Sequence, residues 1–455
     1  MIVVLNGLAA VPARGQTQQS GPLTLAQAVD LAIRNYPAIK ASRAAAQAAD
    51  ENVAVARTAY LPRLDMVWQT NRATHNNVFG LWIPSAAVPP VSGPVLGTRS
   101  LDSVWGSAAG FVLSWDAVDF GQRRAVTDAA KARAATAQAR EEATRLDIAG
   151  AAADAFLTVL VADEQVRAAR ANVDRLAVFV DAVRTLVSNQ LRPGADQSRT
   201  EAELAIARNQ LTQATQLADI ARASLAHALG QSADTGPALV ALPTETPPLP
   251  GEPARDLKSH PAARADAASI DAVRAVDESL ARSYRPRVTL HSLVTARGSG
   301  ADIPGLPSRG SGAWLQVPNW AAFASVTFSA FELFSINARR RVEAQNEVAE
   351  TARYEQTLLT LTTQAVKAQA LAKATLEIAR NTPIERQAAL DAESRARARY
   401  QNGLAPITEV ADAQRLLAQA EADDAIARLS VWRARLALAQ ASGDLKPFLD
   451  AVSRP

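Results

Sequence analysis

The stretch from Gly121 to Ser188 sets the terms for the rest of this chain. Its 68 residues contain no proline, and no glycine lies between Gly121 and Gly150. Alanine dominates it, alongside arginine, glutamate, glutamine and leucine, all strong helix formers. As one helix it is about 100 Å long at 1.5 Å rise per residue. Helices of compact globules average about 11–12 residues, so an ordinary globule does not hold it. Val173, Leu176, Val180, Val183 and Val187 recur in steps of three and four, the heptad spacing of coiled-coil packing. Such a rod is a solvated strut or a component of something larger, and the remaining sequence has to decide which.

Hydrophobic residues make up 48% of the 455, yet aromatics only 5%. The apolar content is therefore mostly alanine and aliphatics, which suits closely packed helices. The formal net charge is +3, with acids and bases interleaved along the helices, so no nucleic-acid-binding face is expected. The absence of cysteine excludes disulfides, thiolate metal sites and a cysteine-linked lipid anchor. No run reaches the roughly 18 apolar residues of a transmembrane helix; Asp154 interrupts the most apolar one, Ala149–Ala162. His75, His227, His260 and His291 lack metal-ligand spacing. Gly298-Ser-Gly300 lacks the lysine and preceding buried strand of a phosphate cradle. No nucleophile–base or paired-carboxylate arrangement stands out, so neither enzymatic activity nor a cofactor is expected.

The chain divides by its punctuation. Residues 1–21 read as a signal peptide lacking its basic start, with small residues near Val11–Ala13, or as an unstructured start with chance apolar content. Thr24 with Gln27 forms a capping box, and Tyr36-Pro37 ends the short helix it opens. A second helix is expected to Ala59, then a strand with Leu64, Met66 and Trp68 on one face. Residues 75–103 read as a long exposed loop, and Val104–Trp115 as a second strand carrying Trp105, Phe111, Leu113 and Trp115. Helices over 121–188 and 197–230 complete a first repeat, 22–236. The seam of the second is Leu204, Ala207, Leu211, Ala214, Ala218, Ala221 and Leu225. A proline-rich linker, 237–255, follows.

The pattern then recurs over 256–445, ahead of a tail at 446–455. Ser259-His-Pro-Ala-Ala263 matches Asn35-Tyr-Pro-Ala-Ile39, Tyr284-Arg-Pro-Arg287 matches Tyr60-Leu-Pro-Arg63, and Ala338-Arg-Arg340 matches Gln122-Arg-Arg124. The second repeat is expected to hold a helix, a hairpin over 287–328 with a loop at 297–319, and helices over 336–400 and 407–441. Four strands per chain cannot close a barrel alone. Their alternation suits a lipid-facing wall, with Tyr60, Tyr284, Trp320, Phe328, Phe331 and Phe334 near strand ends as an aromatic belt; the packed face of an ordinary sheet is the other reading. A lipid-facing wall must close every edge, so several chains would pool their strands.

The segments LTLAQAVDLAIRNYPAI, WDAVDFGQRRA, FELFSINARRR and YQNGLAPITEVADAQRLL resemble the TolC family of outer-membrane efflux proteins, over about Pro22–Leu445. The resemblance implies a mainly α protein with a membrane β-barrel part. It implies a homotrimer giving a twelve-stranded barrel in outer-membrane lipid and long coiled-coil helices forming a periplasmic tunnel. The partners would be a periplasmic adaptor and an inner-membrane pump of RND, ABC or MFS type. The function would be an exit duct for drugs, metals or proteins; a periplasmic coiled-coil protein without channel activity is the alternative. Leu191, Pro193, Gly194 and Asp196 of one turn, with Asn402, Gly403 and Leu404 of the other, would then meet the adaptor. Gly194 and Gly403 would permit the reversals through positive φ. Tyr400, Glu409 and Asp412 would form the gate, the two acids making rings around the pore. The same acids also complement a helix N-terminus, which accounts for them without a gate. Where some relatives carry an arginine this chain has Ala405, and the first turn offers only Asp196 and Ser198 as counterparts.

Overall fold

In the computed structural model of the chain, the described residues are 22–74, 101–232, 239–242, 256–300, 311–329 and 331–453. The segment 1–21, most of the linker 237–255 and the centres of both expected loops lie outside them. The elements are α1 (Leu25–Asn35), α2 (Pro37–Thr58), β1 (Arg63–Thr74), β2 (Ser103–Val118), α3 (Gln122–Ser188), α4 (Gly194–Ala228), α5 (Pro261–Ser283), β3 (Arg287–Ser299), β4 (Val317–Thr327), α6 (Glu332–Gln401), α7 (Ile407–Ser442) and α8 (Lys446–Val452).

Local chemistry fixes the boundaries. The Gln27 N–H donates to Thr24 Oγ1 at 3.2 Å and the Thr24 N–H to Gln27 Oε1 at 3.0 Å, completing the capping box of α1. α2 and α5 both begin on a proline, whose fixed φ suits the first helical position and whose missing N–H costs nothing there. The Tyr36-Pro37 and His260-Pro261 matches therefore mark one event in both repeats. Pro383 lies inside α6 without ending it. The strands run past their visible alternation, β2 to Val118 and β3 to Ser299, because ladder partners continue there, as in Gly106 opposite Ser299. α6 begins four residues before the expected Ile336, so its arginine triplet falls in its third turn, whereas Arg123 and Arg124 lie in the first turn of α3.

The chain forms two compact units, each drawing on both repeats. One comprises Met1–Lys40, Thr144–Arg255 and Leu361–Pro455; the other comprises Ala41–Ala143 and Asp256–Thr360. The first is helical. Leu25, Val29, Phe156, Leu157, Trp432 and Phe448 build its largest core cluster. Between α6 and α7 the packing is nearly all methyl groups: Ala365, Ala368 and Ala372 meet Ala434, Ala437, Leu438 and Ala441. A side chain on Gly150 would place its Cβ 1.9 Å from Gln440 Nε2, so the Gln440 side chain lies against the α3 backbone and would have to turn aside for any larger residue there.

The second unit holds an open antiparallel sheet in the order β1-β2-β3-β4, with β1 and β4 at its edges. Register puts Leu64 opposite Leu113, Met66 opposite Phe111, Phe111 opposite Val294 and Val294 opposite Trp320. These residues share one face with Trp68, Trp115, Leu290 and Val326, and all of them are exposed. The opposite face carries Asp65, Gln69, Asn71, Asp116, His291, Thr295, Arg297 and Ser325 around a small apolar patch of Val67, Val112, Leu293 and Phe323. The sheet thus exposes its apolar side, the reverse of a soluble sheet packed on a core. At the β2–α3 corner, Phe120 (φ 51) and Gly121 (φ 89) take left-handed backbone, and the Asp119 carboxylate accepts from the Gly121 and Arg123 N–H groups at 3.1 and 2.8 Å. Arg123 donates from Nε to the same carboxylate at 2.7 Å and lies 5.0 Å over the Tyr60 ring.

Candidate functional site

Both helix-pair turns are built to one pattern. After α3, the Leu191 N–H donates to Leu186 O and the Gln190 N–H to Val187 O, each at 2.9 Å. After α6, the Leu404 N–H donates to Arg399 O at 2.8 Å and the Gly403 N–H to Tyr400 O at 3.0 Å. Each pair of bonds closes a Schellman motif, which needs left-handed backbone at the residue past the helix. Gln190 (φ 61) and Gly403 (φ 77) supply it. The expectation that Gly194 does so is corrected: Gly194 is the first residue of α4, after Pro193 at φ −67, and nothing lies within 4 Å of where its Cβ would stand.

The motifs align the turns residue by residue. Gln190-Leu191-Arg192-Pro193 corresponds to Gly403-Leu404-Ala405-Pro406, and Asp196 to Glu409, each three residues past its proline. Asp196 is therefore the matching acid that the sequence alone left unclear, and the shared Leu-x-Pro is the signal that finds it. Arg192 stands where the second turn has Ala405. Leu191 and Leu404 protrude alike, 67% and 69% exposed. Pro193 and Asn402 are exposed beside them, with Asn402 Nδ2 donating to Ala398 O at 2.8 Å.

Tyr400 joins the two turns. It is fully buried, in a cluster with Phe179 and Val183 of α3, Ala396 of α6, and Ile407 and Val410 of α7. Phe179 meets its ring edge-on at a centroid distance of 5.9 Å. Its hydroxyl donates to Asp196 Oδ2 at 3.0 Å, and Arg192 lies 4.4 Å over its ring while donating from Nη2 to its carbonyl. Burial, and then the bond to the Asp196 carboxylate, push the phenol up to about 12; Arg192 acts in the opposite sense. The hydroxyl is thus a fixed donor at any physiological pH.

Glu409 and Asp412 do share a face of α7, but neither stands alone. Glu409 lies 3.3 Å from Arg399, and Asp412 lies 3.9 Å from Arg415. Arg415 also pairs with Glu203 of α4. The structure brings Tyr400, Asp196 and Arg192 together in one network, and places Glu409 and Asp412 in separate pairs. Sequence reasoning missed Arg192, Arg399, Arg415, Glu203 and Phe179. Only the Leu-x-Pro correspondence could have drawn attention to Arg192.

Comparison with known proteins bears on what such a fold does. Residues 28–231 match the family described as outer membrane efflux protein. Among solved structures, the outer-membrane channel OprN is 22% identical with a TM-score of 0.75, covering 92% of this chain and 89% of its own. CusC, whose structures concern folding and transmembrane channel formation, is 15% identical with a TM-score of 0.76, covering 92% of both chains. The CmeC outer membrane channel of Campylobacter jejuni is 16% identical with a TM-score of 0.74, covering 92% of this chain and 85% of its own. No curated protein matches the sequence.

Proposed function

We propose that the chain is a TolC-like outer membrane efflux protein, supported by the family match over residues 28–231 and by the fold it shares with solved outer-membrane channels, and that three copies form the outer-membrane exit duct of a tripartite efflux or type I secretion system. The observation that carries this is the sheet. Its apolar face is bare, its edges β1 and β4 are unpaired among the described residues, and four strands are too few to close. Three such sheets joined edge to edge make a twelve-stranded barrel that satisfies every edge, as a lipid environment demands. The polar face then lines the passage. The protruding Leu191 and Leu404, with Pro193, Gly194, Asp196, Asn402 and Gly403, form the tip that meets a periplasmic adaptor, and the adaptor joins the duct to an inner-membrane pump.

The network around Tyr400 is the gate fastening in this reading. Parting the two helix pairs requires breaking its hydroxyl bond to Asp196 and the Arg192 bond to its carbonyl. Glu409 and Asp412, repeated three times about an axis, give two acidic rings that favour cations, moderated by Arg399 and Arg415. Small molecules, metals and proteins are all admissible cargo for such a duct. The test is electrophoretic mobility in detergent with and without heating, together with far-ultraviolet circular dichroism. A heat-modifiable trimer carrying β signal is expected; a monomer soluble without detergent refutes the duct.

A further inference from the structure

The β4–α6 corner carries chemistry that neither sheet nor helices use. Val326 and Phe328 bring the apolar face off the end of β4, and Phe331 and Phe334 continue it at the start of α6, 88% and 74% exposed. Arg341 lies seven residues past Phe334, two helical turns along the same face. Of the three consecutive arginines, Arg340 is held by both Asp277 oxygens at 2.9 Å. Arg339 and Arg341 are exposed and make no hydrogen bond or ion pair with any described residue. The β2–α3 corner has no such excess, because Arg123 is tied to Asp119 and Tyr60, and Arg124 lies 3.8 Å from Asp128.

The geometry points to a binding site for an anionic phospholipid at the β4–α6 corner, with Phe331 and Phe334 against its glycerol and upper acyl region and Arg341 on its phosphate; Arg339, two residues earlier, lies on another side of α6. Aromatic rings favour the boundary between hydrocarbon and headgroups. A long arginine stem lies along apolar surface while its head reaches the phosphate layer. The site rests on the reading that the apolar face of the sheet meets lipid, and it is continuous with that face. An unpaired cation on the face of the exposed rings fits a negatively charged lipid better than a zwitterionic one.

Native mass spectrometry of the full-length protein, extracted in detergent and mixed with equal amounts of phosphatidylglycerol and phosphatidylethanolamine, tests this. The parent retains phosphatidylglycerol preferentially. Arg341→Gln lowers that preference by about fivefold. Arg341→Lys keeps it, which separates lost charge from lost structure. Phe331→Ala with Phe334→Ala lowers retention of both lipids. An unselective parent, or a glutamine variant as selective as the parent, overturns the site while leaving the barrel standing. Trimers that dissociate in the alanine variant with lipid preference unchanged assign the rings to a second copy of the chain and also overturn it. A protein that retains neither lipid and needs no detergent removes the barrel reading and the site together.

Discussion

Tyr400→Phe removes one oxygen and leaves the ring in its cluster with Phe179, Val183, Ile407 and Val410. What is lost is the 3.0 Å bond from the hydroxyl to Asp196. A hydrogen bond to a charged group contributes about 1.5–3 kcal/mol. Asp196 is only half-buried, so water can take the vacated position, and the lower end of that range applies. At about 1.5 kcal/mol per protomer, the closed state of each helix pair loses roughly a tenfold preference. Three protomers that part together lose about 4–5 kcal/mol, since distant identical sites add. Single-channel recording in planar bilayers should therefore show open events at least about tenfold more frequent in the variant than in the parent, with Arg192 unchanged. The pH dependence supplies a second arm. Because the phenol titrates at about 12, above its ordinary value near 10, the contribution is complete below about pH 10 and is lost as pH rises towards 12. Parent gating should be flat through this group from pH 6 to 9, and Tyr400→Phe should lose any alkaline opening. A variant that stays closed as firmly as the parent would refute the role of the hydroxyl.

Other expectations follow from the same geometry. Lysine at Leu113 or Val326, both on the exposed apolar face, should cost about 2–4 kcal/mol at mid-bilayer and reduce trimer yield in membranes; normal yield from both would remove these strands from lipid. Glu409→Gln with Asp412→Asn should do more than remove negative charge, because it leaves Arg399 without its acid while Arg415 keeps Glu203; reversal potentials should move towards anion selectivity, and unchanged selectivity would leave the acids as helix-start charges. Gly403→Leu forces a side chain onto left-handed backbone at about 1–2 kcal/mol and should abolish efflux with trimers intact, whereas Gly194→Ala, at ordinary φ with open space around it, carries no backbone penalty and should reduce efflux far less. Equal behaviour of the two glycine variants in an efflux assay would contradict the distinction between them.

Much of the fold is written locally and is therefore legible. The capping box of α1, the proline starts of α2 and α5, and the alternation of β1 and β4 each depend on neighbours within a few residues. The seam of α4 is likewise visible, and Leu204, Ala207, Ala218, Ala221 and Leu225 are all buried. The site is another matter. Arg192 and Tyr400 stand 208 residues apart, and nothing in either neighbourhood announces the other. The left-handed residue of the first turn is a glutamine, while the glycine that advertises such backbone sits four positions on and does not adopt it. Glu409 and Asp412 have the spacing of a ring motif, but their arginine partners come from α6 and from the next turn of α7, which no count along the helix start reveals.

The alanine contacts between α6 and α7 bear on how such a chain can change over generations. Where a seam is made of methyl groups, the two backbones are already at closest approach, and each added carbon must push the helices apart at about 1–3 kcal/mol. That penalty recurs at Ala365, Ala368, Ala372, Ala434, Ala437 and Ala441, so drift has little freedom along this interface. Variation is cheap only where a side chain has space around it, at the turns and on the outer helix faces. A lineage of such chains can therefore acquire new partners or cargo by altering exposed positions while this seam is inherited almost unedited.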